Sequence, residues 1–159
     1  MNRRNNFFLS KFIDFSLGLL TGILALVLEI IIPDFGNVFL FLLGIALIEE
    51  FLKFFVLSRI VKKTRSGFDF WSALLFFAFG FIFWEQFLIW KKSVQGDLLW
   101  HFFDDFLVVF FHLFTFFIYG WRLRSFPSSG FFDFLTVFFT IVLHLLYNMS
   151  ALDLLVFLL

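Results

Sequence analysis

Five apolar stretches, each about the twenty residues that a helix needs to cross a hydrocarbon core of roughly 30 Å, fill most of this chain. They run over about 12–32, 37–58, 70–90, 102–121 and 131–155. The first stops at Pro33, and the fifth follows the break "PSSG". The expected fold is therefore all-α, a multi-pass transmembrane helical bundle of about five spans forming one domain over 1–159. Composition agrees. With 62% hydrophobic residues and a mean hydropathy of +1.03, the chain lacks the polar surface of a soluble domain. The leading "MNRRNN" resembles the start of a signal peptide. The apolar run behind it is long and has no small-residue cleavage site, so it reads as a retained first span.

Charge narrows the function classes. Twelve Lys and Arg balance twelve Asp and Glu, which leaves no basic surface for nucleic acid. The absence of cysteine excludes disulfides, thiol catalysis and cysteine-type zinc sites. The 33 phenylalanines stand where other membrane proteins use Leu or Val. The positive charges also set an orientation. Arg3, Arg4, Lys11, Arg59, Lys62, Lys63, Arg65, Arg122 and Arg124 fall on one side, against Lys91 and Lys92 on the other. A cell-membrane protein with a cytoplasmic N-terminus and an outer C-terminus is expected, with the lipid bilayer as its surroundings.

The second stretch carries "LIEEFLKF", three ionisable groups in an apolar run. Glu49, Glu50 and Lys53 together cost at most roughly 8–10 kcal/mol to insert, against about 5–9 kcal/mol returned by the large apolar residues around them. Pairing Lys53 with Glu49 (i, i+4) or Glu50 (i, i+3) lowers that cost. A plain anchor has no need of such groups, and ionisable residues at this depth point to function. A buried ion pair that only locks helices together is the alternative.

Other spans supply partners. Glu85 follows Phe81 by one turn in "FIFWEQ". His101, Asp105 and His112 share one helical face within about 40°. Asp133, Thr136, Thr140, His144 and Asn148 form a polar stripe at spacings of three and four. Asp104, Asp105 and His101 read as interface residues or as a wet, acidic entrance. A lone membrane histidine is commonly a helix-to-helix hydrogen-bonding group. Two histidines and three glutamates over four spans suggest one cluster near mid-membrane.

In order along the chain stand Glu49-Glu50-x-x-Lys53, Phe81-x-x-x-Glu85, the isolated His112 and His144-x-x-x-Asn148. This series resembles the PrsW family of intramembrane proteases, within the superfamily that includes CAAX prenyl proteases. The CAAX branch shows Glu-Glu-x-x-x-Arg and Phe-x-x-x-His. Lys53 and Glu85 depart from that pattern toward the PrsW-like branch. The match covers about 45–150, nearly everything beyond the first span. Five spans is few for this superfamily, so an element that gates substrate is either absent or supplied by an oligomer.

The resemblance implies hydrolysis of a peptide bond in, or next to, a membrane segment of another protein. Glu49 is the candidate base, with Lys53 offsetting its charge. His112 orients water or shuttles a proton, while His144 and Asn148 present donors to the oxyanion. Glu85 holds a histidine or joins a metal shell. His112, His144 and Glu85 would be the ligands of a catalytic zinc. No His-Glu-x-x-His helix fixes a ligand set, and a glutamate-activated water without metal is equally open. A non-catalytic membrane scaffold on the same bundle is the runner-up, and a proton-coupled transporter is third. No internal repeat or broken helix pair favours the transporter.

Overall fold

The computed structural model describes the backbone of residues 3–33, 36–61, 64, 67–92, 98–125 and 130–158, with side chains over 7–33, 36–61, 64, 67–87, 106–125 and 130–150. All regular structure among them is helical: α1 (Arg3–Ile30), α2 (Val38–Val61), α3 (Gly67–Lys92), α4 (Leu98–Ser125) and α5 (Gly130–Leu158). The five helices coincide with the five expected stretches, with α1 beginning nine residues earlier and ending two earlier than expected and the others differing by up to four residues at their ends. Gly36 takes φ 62° in the turn between α1 and α2, and Asn37 Oδ1 caps α2 by accepting from Leu40 N at 3.3 Å.

Four helices, α1, α3, α4 and α5, are long and apolar enough to cross a membrane, and this is a membrane protein. The 24 residues of α2 span about 36 Å, which is also sufficient length. Its centre, however, holds Glu49, Glu50 and Lys53. These lie with Ala46, Leu57 and Ile60 on one buried stripe at helical spacing, while Leu47, Phe51 and Phe55 face outward. The polar groups of α2 are thus enclosed by its neighbours, and its outer surface is as apolar as that of the other helices.

Helix α1 lies chiefly on α3, α5 chiefly on α2, and α4 against α3 and between α2 and α5. The α1–α3 seam is built on glycine. A Cβ on Gly18 would collide with the Phe77 carbonyl, and one on Gly80 with the Phe15 carbonyl, so only glycine allows this backbone approach. On the far side of α3, Phe70, Leu74, Phe77 and Phe81 pack with Phe116 and Tyr119 of α4 and with Leu57 of α2 in the core. That core ends at a polar centre to which α2, α3, α4 and α5 each contribute.

Candidate functional site

Lys53 is the hub of the polar centre. Its Nζ donates to Glu49 Oε2 and Glu50 Oε1, each at 2.9 Å, one turn away on the same helix. It lies equally 2.9 Å from Nδ1 of His112 on α4. An ammonium has donors only, so Nδ1 accepts and the neutral His112 ring carries its proton on Nε2. The ammonium also sits 4.4 Å from the centroid of the Phe81 ring, where the π-face adds attraction.

Glu50 is fully engaged. It accepts from Lys53, from Nδ1 of His144 at 2.9 Å and from the Tyr119 hydroxyl at 2.6 Å. Tyr119 in turn contacts the Thr140 hydroxyl closely. A carboxylate so saturated acts as an orienting group. By accepting from Nδ1 it selects the tautomer of His144 that leaves the Nε2 lone pair free. That Nε2 faces Glu49 Oε2 across 3.9 Å. Two acceptors at this spacing do not bond each other, but a water or a cation between them satisfies both.

On the other flank, His112 Nε2 lies 2.6 Å from Glu85 Oε2. The oxygen is off the axis of the ring N–H, and although closed from solvent it has no hydrogen bond. Glu29, near the end of α1, brings its carboxyl within hydrogen-bonding reach of Glu49 and lies close to Glu85. Access is graded. The Lys53 and Glu50 side chains are fully buried, that of Glu49 is 9% exposed and that of Glu85 is 19% exposed. Glu49 and Glu85 are therefore the groups that an incoming molecule meets.

Donor atoms converge in two groups able to hold a metal ion, Glu49 with Glu50 and His144, and Glu49 with Glu85 and His112. The expected ligand set of His112, His144 and Glu85 is thereby divided. The two imidazoles are 5.5 Å apart, and Glu85 reaches only that of His112. The reason is Lys53, which with Glu50 holds the two rings from different sides. Its ammonium offsets one of the two charges of Glu49 and Glu50. The group with His144 is the better fit to a divalent ion, because the Nε2 lone pair of that ring is free, whereas Lys53 occupies Nδ1 of His112 and leaves the proton on its Nε2.

Six of the seven site residues expected from the sequence thus meet: Glu49, Glu50, Lys53, Glu85, His112 and His144. Asn148 does not. It is half-buried one turn beyond His144 and has no polar contact with the cluster among the described residues. Asp133 leaves the polar stripe of α5 to pair with Arg122 at 2.8 Å, and Thr136 turns its hydroxyl onto the Phe132 carbonyl. The side chains of His101, Asp104 and Asp105 lie outside the described residues. Sequence reasoning missed Tyr119, Thr140 and Glu29 as members of the centre. Tyr119 stands seven residues after His112, two turns along the same face. Thr140 precedes His144 by one turn, and Glu29 interrupts "LVLEIII" much as Glu49 interrupts its own run. Among known protein families, curated proteins and solved structures, none matches this chain.

Proposed function

We propose that this chain is an intramembrane endopeptidase that hydrolyses a peptide bond in, or next to, a membrane segment of another protein. The observation that carries the reading is the 3.9 Å gap between Glu49 Oε2 and His144 Nε2, with His144 held from behind by Glu50. A water in that gap donates one hydrogen to each acceptor. Glu49 takes a proton from it as the oxygen attacks the peptide carbonyl carbon. His112, whose Nε2–H faces the Glu85 side, donates to the oxyanion. The C–N bond then breaks, and the proton held by Glu49 passes to the leaving amine. Lys53 keeps Glu49 ionised before the reaction and returns it to that state afterwards.

Glu49, Glu50 and His144 would hold a divalent ion such as zinc, which when bound supplies a more acidic water and polarises a carbonyl. The reading also assigns the chain to the PrsW-like branch, on the strength of its ordered motifs, and to the cell membrane with its N-terminus in the cytoplasm. One observation favours the scaffold as a second reading. Lys53 and Glu50 are wholly enclosed and tie α2 to α4 and α5, as a purely cohesive lock would.

Co-expression with single-span membrane proteins separates the two. Glu49→Gln keeps the side-chain volume and removes the base, so the cleavage product in the membrane fraction should fall by about 10²–10⁴-fold. Equal product from wild type and Glu49→Gln would remove Glu49 from the mechanism. Partner binding without any cleavage would establish the scaffold. In purified protein, cleavage that stops on chelation and returns with zinc assigns the metal, and cleavage indifferent to chelation assigns the glutamate alone.

A further inference from the structure

At the end of the bundle where α1 begins and α2 ends, these two helices part and leave a cavity of about 570 Å³. Ile13, Leu17, Phe55 and Val56 line it together with the buried Ile60 and Asp14, and Ser10, Arg59 and Thr64 add polar groups. Leu17 lies seven residues beyond Ser10, so the apolar part reaches about 10 Å along α1. Arg59 is two residues from the end of α2, a helix longer than the hydrocarbon core is thick, which sets its guanidinium at headgroup level.

Arg59 rests 5.0 Å over the Phe55 ring, and no carboxylate among the described residues pairs with it. Asp14, the acidic residue in the wall, is already engaged by Lys11 at 3.4 Å. In the sequence, Arg59 opens a basic run continued by Lys62, Lys63 and Arg65. The cavity therefore offers an apolar slot ending in an uncompensated cation. We propose that it binds an anionic glycerophospholipid, one acyl chain lying between Ile13 and Val56 and the phosphate on Arg59. Basic pockets between transmembrane helices hold such headgroups. A zwitterionic lipid would bring its own ammonium against Arg59. The site is separate from the polar centre and does not rest on the peptidase reading.

The test is native mass spectrometry of the full-length protein in detergent, with phosphatidylglycerol and phosphatidylcholine of equal chain length. Wild type should retain phosphatidylglycerol preferentially. Arg59→Gln should lower that retention about fivefold, the worth of one basic residue at an anionic surface, and leave phosphatidylcholine unchanged. Ile13→Trp, which fills the slot, should lower retention of both. Excess glycerol phosphate should not displace the lipid. Equal retention of the two lipids by wild type overturns the proposal. So does phosphatidylglycerol binding that survives Ile13→Trp, because the lipid would then lie on the surface. Displacement by glycerol phosphate overturns the role given to the acyl chain.

Discussion

Two helix contacts in this bundle solve the same problem by opposite means. Lipid tails are as apolar as Leu or Phe, so helices in a membrane gain no hydrophobic drive to associate and depend on close packing or polar bonds. The α1–α3 seam uses packing. Gly18 and Gly80 let the two backbones meet, and Trp84 closes over Gly22. Where α2, α4 and α5 meet, the chain uses charge instead. Lys53 binds Glu49, Glu50 and His112, and Glu50 binds His144 and Tyr119. Around Gly18 and Gly80 the seam joins helices by backbone packing, with Lys11 donating to the Asp69 carbonyl at 3.3 Å nearer its end. Yet the centre gathers four carboxyls around one lysine, and Glu85 Oε2 has no hydrogen bond, only its close contact with the His112 ring. Cohesion alone accounts for Lys53 and Glu50. It does not account for Glu85 or for the 3.9 Å separation of Glu49 and His144, which is why those groups are read as chemistry.

The contrast can be broken or sharpened by substitution. The largest effect belongs to Lys53→Met. It strands Glu49 and Glu50 without their shared cation, and unfolding in detergent should show a loss of about 3–5 kcal/mol. Adding Glu50→Gln should recover part of it. A fully stable Lys53→Met would mean that the centre coheres without its hub. Next comes Gly18→Ala. In an ordinary helix alanine is favoured over glycine by about 1 kcal/mol. Here its methyl group meets a backbone carbonyl, and overpacking should instead destabilise by about 1–3 kcal/mol. The sign of that change reports whether the seam is as tight as described. Smallest is Asn148→Ala, which touches neither contact and should shift stability by less than about 0.5 kcal/mol. A larger loss would extend the centre one turn further along α5.

The spans were legible because a continuous apolar run is itself the signal for a membrane helix. Much of the centre was legible too, because Glu49, Glu50, Lys53, Glu85, His112 and His144 each stand out against apolar neighbours. Which helices pair was not legible, since Phe and Leu surround every span and periodicity names a face without naming its partner. The division of the metal donors was equally hidden. It follows from where Lys53 Nζ points, a three-dimensional fact that the spacing of Glu49, Glu50 and Lys53 leaves open. Asp133 was drawn into the stripe of His144 by spacing alone, whereas in space Arg122, across a short connection, captures it. Tyr119 is hidden because in "FTFFIYG" it reads as an aromatic among aromatics.

The most direct test of the claim that the centre holds charge beyond what the fold requires is the stability of Glu85→Gln. Glutamine keeps the volume of the side chain and removes a charge whose buried oxygen has no hydrogen bond. An unsatisfied buried group costs about 1–3 kcal/mol. Thermal and denaturant unfolding in detergent should therefore find Glu85→Gln as stable as wild type, or more stable by up to about that amount. A clear loss of stability would contradict the account, because Glu85 would then be a structural partner of His112 and the excess charge would have a cohesive explanation.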